Sequence, residues 1–123
     1  NQNLKFKTDL KTRSYKYALS IINFIDELSK DMSTQTIAKQ LLRSATSVGA
    51  NIIEAQASPS RKDFTNFFTH SLKSANESRY WLEMLRDSNK ADRNVVEPLV
   101  QETKEIANIL GSSILTLRGK NKF

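Results

Sequence analysis

Arg43, Ser47, Asn51 and Glu54 follow one another at spacings of four, four and three residues within RSATSVGANIIEA. That spacing sets a guanidinium, a hydroxyl, a carboxamide and a carboxylate on one flank of a helix. Such a strip suits a binding site, a subunit contact or the wetted side of a helix. Hydrolytic chemistry needs more. His70 is the single histidine and no Gly-x-Ser-x-Gly turn presents a serine, whereas a nucleophilic site needs a base beside its nucleophile. His70 also falls at the rim of its own helical stripe, where a packing or surface role suits it.

Metal and phosphate chemistry find no better footing. Some four-helix bundles hold two iron ions through paired Glu-x-x-His motifs, but Phe67 stands three residues before His70. Glu77 and Glu83 are six residues apart and form no local chelating pair. Gly49, Gly111 and Gly119 are isolated, so neither a P-loop nor a dinucleotide fingerprint is present. Phe64, Phe67, Phe68, Tyr80 and Trp81 could stack on bases only if exposed beside a basic groove, and their helical spacing makes most of them core. These residues point to a protein without cofactor or metal, and not to an enzyme.

Four helices must position whatever the strip does. The first is predicted over about residues 12–30, with Tyr15, Ala18, Ile22, Ile25 and Leu28 inward and Leu19, Ile21 and Phe24 widening the face. The second spans about 34–57, capped by Ser33 or Thr34, with the stripe Ile37, Leu41, Ala45, Val48, Ile52 and Ala55. Pro59 disfavours helix at Ser58, and Ser60 with Asp63 resembles a capping box that opens the third helix, about 61–88. Its inward residues are Phe64, Phe68, Ala75, Leu82 and Leu85, with Phe67, Leu72 and Trp81 flanking. The fourth spans about 93–117 through Val95, Leu99, Ile106, Ile109, Leu110, Ile114 and Leu117, with Pro98 expected to kink or delay it. Connections this short make neighbours antiparallel. The expected fold is all-α, one up-down-up-down four-helix bundle over residues 1–123.

Composition agrees with one small domain. Three glycines and two prolines are too few for a hairpin-rich β fold, and with no cysteine there is neither a disulfide nor a thiolate site. No apolar run approaches the roughly 18 residues of a membrane span, and the opening NQNLKFKTDLKTR lacks a secretory apolar stretch. A cytoplasmic protein with no membrane contact is expected. The net charge of +6 lies at the ends. Lys5, Lys7, Lys11, Arg13 and Lys16 face only Asp9 in the first sixteen residues, and Arg118, Lys120 and Lys122 close the chain. In the expected topology both ends and the second turn share a pole, gathering Lys5, Lys7, Lys11, Arg13, Arg61, Lys62, Arg118, Lys120 and Lys122. Such a pole attracts phosphates, helped by the start of the third helix; solvated termini are also often basic without binding anything.

The second helix carries an apolar arc of about 160 degrees, wider than the roughly 100 degrees one core requires. Gly49, beside Ala45, Ala50 and Ile53, is placed for close helix approach. The polar strip lies opposite that arc. Arg43 and Glu54 are about 16 Å apart along the helix and cannot pair. Register across the Pro59 turn instead sets Arg43 beside Glu77, as an ion pair within the chain or between subunits.

LLRSATSVGANIIEA followed by SPSRKDFTNFFTHSLKSANES resembles the bacterial four-helix-bundle family encoded by intervening sequences within 23S ribosomal RNA genes. The pattern is Arg43, Ser44, Ser47 and Asn51-x-x-Glu54, then Arg61-Lys62-x-Phe64, Phe67-Phe68, Leu72, Ser74, Ala75 and Glu77. The outer two helices match by length and apolar pattern alone. That family includes the accessory variability protein of diversity-generating retroelements, a pentameric barrel whose basic surfaces bind nucleic acid and a reverse transcriptase. The resemblance implies a ring-like homo-oligomer, a pentamer, with RNA or DNA and a reverse transcriptase or other protein as partners. It makes Arg43, Ser47, Asn51, Glu54 and Glu77 an architectural and interface signature. The family commonly places glycine after Asn-x-x-Glu, where this chain has Ala55 and Gln56; the second helix is therefore expected to continue to about Ala57. The competing reading is a structural adaptor that binds a protein without nucleic acid.

Overall fold

The computed structural model describes the backbone of residues 2–119 and the side chains of residues 9–119. Helices α1 (Gln2–Asp26), α2 (Met32–Ala57), α3 (Arg61–Asp87) and α4 (Arg93–Leu117) run antiparallel in sequence order, with no strand among the described residues. The protein is an all-α four-helix bundle. No helix of the described residues is long and apolar enough to cross a membrane.

Side-chain caps fix the ends. Asp31, rather than Ser33 or Thr34, caps α2: its carboxylate accepts from the Thr34 amide at 3.3 Å and from the Ser33 hydroxyl at 3.0 Å. A carboxylate is the stronger acceptor for the free amides of a first turn. The α2 helix consequently opens at Met32, ahead of the expected start. Its last turn closes at Ala57, with the Ser58 amide on the Ala55 carbonyl at 3.1 Å. Ser60 accepts from the Asp63 amide at 3.1 Å and starts α3. Asn89 takes the left-handed conformation, φ 60°, so that the Lys90 and Ala91 amides both reach the Leu85 carbonyl. Asp92 caps α4. Pro98 does not delay that helix, which already runs from Arg93; it only leaves the Asn94 carbonyl without its usual donor four residues on.

The largest departure from the sequence reading is in α1. It begins at Gln2, ten residues before the expected start, and ends at Asp26. Its inward stripe is Leu10, Ser14, Tyr17, Ile21 and Phe24, continued by buried Leu28 just past its end. Tyr15, Leu19 and Ile22, expected at or beside the core, face outward, while Ala18 and Ile25 are half-buried. Two apolar stripes share this helix, and periodicity alone ranks neither. Ser14 and Tyr17 decide it: Ser14 fits against Gly49, and the Tyr17 hydroxyl has a partner inside. In the first half of α4 the buried stripe is displaced one residue forward, to Val96, Val100 and Thr103, which lead into the expected Ile106, Leu110 and Ile114 and leave Val95 exposed.

Small residues set the closest contact. Ser44, Ala45 and Val48 of α2 meet Ser71, Ala75 and Ser78 of α3, all fully buried, and these two helices approach most extensively. The α1–α4 seam is sparser, with Tyr17 reaching Thr103 across it. Gly49 has the use its neighbours suggested, since a β-carbon there would lie 3.2 Å from Ser14 Oγ.

Candidate functional site

The polar strip on α2 does not converge. Arg43 Nη2 donates to Glu77 Oε2 within the same chain, and Trp81 Nε1 donates to the same carboxylate oxygen at 3.0 Å. The ion pair that the register suggested is therefore intrachain, and it latches α2 to α3 on the outside of the small-residue contact. Ser47 Oγ donates to the Arg43 carbonyl at 2.7 Å, and Asn51 Nδ2 donates to the Ser47 carbonyl at 2.9 Å. Both groups are thus turned back onto their own helix. Glu54 is exposed and has no ion pair or hydrogen bond among the described residues. Four groups that part company in this way cannot act together on one substrate atom. His70 is also exposed, and no cluster of three or more metal-ligating side chains occurs among the described residues.

Sequence reasoning missed a chain of hydroxyls through the middle of the bundle, one from each helix. Tyr17 of α1 meets Thr103 Oγ1 of α4 at 2.7 Å, and Ser78 of α3 is also within hydrogen-bonding reach of Tyr17. Ser78 Oγ lies 2.8 Å from Ser44 Oγ of α2. Thr103 also has the Leu99 carbonyl as acceptor at 2.6 Å, and Ser78 has that of Ser74 at 2.8 Å. Burial pushes the Tyr17 phenol up to about 12, against smaller opposing effects of its hydrogen bonds to Thr103 and Ser78. A signal was present: hydroxyl residues stand at core positions of all four stripes. Buried polar groups need partners, but Ser44, Ser78 and Thr103 each also have a carbonyl of their own helix as acceptor, so the sequence did not require them to meet.

The candidate phosphate-binding cations are only partly brought together. Arg61 Nε and Nη2 donate to the Leu117 carbonyl at 3.1 and 2.8 Å, which joins the start of α3 to the end of α4. Arg61, Lys62 and Arg118 therefore share one pole, and none has a carboxylate partner among the described residues. Arg13 does not belong there. Its guanidinium grips Glu102 with two hydrogen bonds, 2.8 and 2.7 Å, and Glu105 at 2.8 Å, which raises its pKa further through those bonds. Because α1 starts at Gln2, Lys11 sits about 14 Å along the helix from that end, and it is exposed on the flank. Lys5 and Lys7 fall in the first turns of α1, but their side chains lie outside the described residues, as do Lys120 and Lys122 entirely.

At the opposite pole most cations are matched by carboxylates. Lys90 pairs with Asp31 at 3.2 Å, and Arg86 pairs with Asp87 at 2.8 Å and Glu97 at 2.9 Å. Arg93 adds a longer contact to Glu97, 3.4 Å. Asp31 is held well below the usual carboxylate range by hydrogen bonding, from Ser29 first, with the Thr34 amide and the Ser33 hydroxyl adding to it. Among the described residues, the pole of the α2–α3 turn thus holds Arg61, Lys62 and Arg118 without carboxylate partners, while at the opposite pole Lys30 is unmatched and Lys11, Lys16, Lys39, Lys73 and Lys104 are unmatched along the flanks. The aromatic residues give no stacking platform: Phe64 and Phe68 stack on each other at 4.6 Å, facing the core, and Trp81 is half-buried under Tyr80.

Taken together, the fold and the diverging polar strip define a small antiparallel four-helix bundle. The chain belongs to the family described as 23S rRNA-intervening sequence protein, whose pattern matches residues 7–112. A crystal structure of a protein of unknown function from the S23 ribosomal protein family of Bacteroides thetaiotaomicron is similar to it. The two share 38% identity over 88% of this chain and 96% of that one, with a TM-score of 0.82. No curated protein matches this chain.

Proposed function

We propose that this chain is a non-enzymatic accessory protein that binds nucleic acid as a homo-oligomer, a ring of five copies on the family resemblance, in the cytoplasm. The observation that carries the binding is the uneven pole. Arg61, Lys62 and Arg118 stand without carboxylate partners, whereas Arg86, Lys90 and Arg93 at the other pole are matched. The opening turn of α3 adds partial positive charge at the same place. Several copies side by side multiply a modest cation cluster into a phosphate-tracking surface, and a reverse transcriptase or other protein bound to the same nucleic acid is the kind of partner such an accessory serves.

Binding through phosphates releases counterions, so affinity for a generic RNA or DNA duplex falls steeply with salt. Gel retardation at about 50 mM salt tests this directly, with a weakened slope expected for the combined Arg61→Ala, Lys62→Ala and Arg118→Ala substitutions. No retardation by the unmodified protein at that salt rejects nucleic acid. It would favour the second reading, an oligomeric adaptor for a protein partner, which the exposed apolar face of α1 and α2 supports.

A further inference from the structure

Arg118 apart, the other described arginines are held by carboxylates, as Arg13 is by Glu102 and Glu105 and Arg86 is by Asp87 and Glu97. Arg61 is held differently. Its Nε and Nη2 both donate to one backbone oxygen, the Leu117 carbonyl, at 3.1 and 2.8 Å. That carbonyl is the last of α4, where no donor is available within the helix. The end of α4 is itself fixed: the Arg118 amide returns to the Ile114 carbonyl, and the Gly119 amide, at φ 76°, to that of Thr116. A guanidinium carries five N–H donors in one rigid plane. Leu117 takes the Nε hydrogen and one hydrogen of Nη2. Both hydrogens of Nη1 and the second of Nη2 remain, with no acceptor among the described residues. Holding one edge of a planar fork sets the direction of the next. The Nη1–Nη2 edge is therefore both oriented and free, on an exposed residue. Asp63, the carboxylate nearest to it in sequence, makes no ion pair with it.

We infer that Arg61 is a preset fork for one phosphate of a nucleic-acid duplex. Its outer Nη1–Nη2 edge donates in parallel to two oxygens of that phosphate, while Leu117 keeps hold of the inner edge. The inference rests on the nucleic-acid reading above and names the group at the centre of its site. Parallel N–H donors on two oxygens of one anion make charge-assisted bonds, stronger and more directional than a point charge. A surface arginine ordinarily gives up side-chain freedom when it binds. Here the Leu117 carbonyl has already ordered the guanidinium. No other cation of the described residues is prepared in this way. Lys62 and Arg118 are exposed without such a hold, so they add charge and not direction. Arg13, Arg43 and Arg86 have their charge answered by carboxylates. Charge also favours phosphate over carboxylate as the occupant, because a phosphodiester backbone brings one anion after another to a pole that holds three cations without carboxylates, Arg61, Lys62 and Arg118. A duplex suits that pole better than a single strand, since the described aromatic residues form no stacking platform.

Fluorescence anisotropy with a labelled duplex of about 20 base pairs, from about 50 to about 250 mM salt, reads the affinity and its salt slope together. Arg61→Lys keeps the charge and loses the fork, and should weaken binding about tenfold at the lowest salt. Lys62→Ala, which removes a point charge, lowers the slope by about one. Arg79→Lys, outside the pole, changes neither. Arg61→Lys binding as tightly as the unmodified protein overturns the fork, since any cation would then serve. Arginine side-chain NMR of the unmodified protein supplies a readout that an Arg61 serving only to close α4 would not move. On addition of the duplex the Arg61 Nη protons shift and become slow to rotate, while its Nε proton keeps the position it had on Leu117. Nη signals unmoved by a bound duplex overturn the fork and leave nucleic-acid binding standing. Oligoglutamate that shifts them as strongly at equal charge assigns the edge to an acidic protein and also overturns it. A duplex that fails to bind the unmodified protein at about 50 mM salt rejects the nucleic-acid reading itself, and the fork with it.

Discussion

Tyr17→Phe exchanges one hydrogen bond for a change in alkaline stability, and the two effects have opposite signs. The hydroxyl is buried against Thr103 at 2.7 Å. Its removal orphans nothing, since Thr103 still has the Leu99 carbonyl and Ser78 still has that of Ser74. The cost near pH 7 is therefore that of one net hydrogen bond, about 1 kcal/mol. The phenol is held at about 12 in the fold, against about 10 in an unfolded chain. A raised pKa means that the native state keeps its proton longer. The associated stability is whole below pH 10 and is lost as pH rises towards about 12. A two-unit gap corresponds to roughly 2.7 kcal/mol in full, and about half of it is gone at pH 11. The wild type then loses about as much as the variant lacks. Urea denaturation followed by circular dichroism from pH 7 to 11.5 should show two stability curves that converge and cross near pH 11. A pH-independent difference refutes the burial argument. A deficit above about 3 kcal/mol at pH 7 shows that the partners were orphaned after all.

Two further substitutions probe particular contacts. Thr34 Oγ1 is fully buried with no hydrogen-bond partner, so Thr34→Val, nearly the same shape, should stabilise the fold by about 1 kcal/mol; a lower urea midpoint contradicts this. Gly49→Ala gains helix propensity but sets a β-carbon 3.2 Å from Ser14 Oγ, so it should be close to neutral alone and gain up to about 1 kcal/mol when Ser14→Ala clears the space. A double-mutant cycle without coupling rejects that close approach.

The sequence made the fold legible wherever one stripe dominated a helix. The α2 stripe from Leu41 to Ala55, the close of α2 and the start of α3 follow from periodicity and from Pro59 and Ser60, and the structure places them as expected, whereas α2 opens earlier, at Met32. The α1 helix was misread because Tyr15, Leu19 and Ile22 repeat as regularly as Tyr17, Ile21 and Phe24. Choosing between two such stripes requires knowing what lies opposite, and Gly49 and Thr103 are far away in sequence. The same limit hid Glu102 and Glu105 as the partners of Arg13, which read as a free cation near a chain end. Register across a single tight turn, by contrast, is a local quantity, and it placed Arg43 beside Glu77.

That difference in reach also explains what the α2 signature does. Arg43 is satisfied by Glu77, a residue across the adjoining turn, and Ser44 meets Ser78 one residue further along each helix. These contacts hold the closest helix pair at a fixed register, with a hydrogen bond inside and an ion pair outside. A substitution such as Arg43→Ala removes only the outer latch, whose groups are largely exposed, so it should cost little on its own. Glu54, three residues after Asn51, has no such intrachain partner among the described residues. The strip therefore divides into Arg43, Ser47 and Asn51, which are engaged within the bundle, and Glu54, which is left to solvent among the described residues.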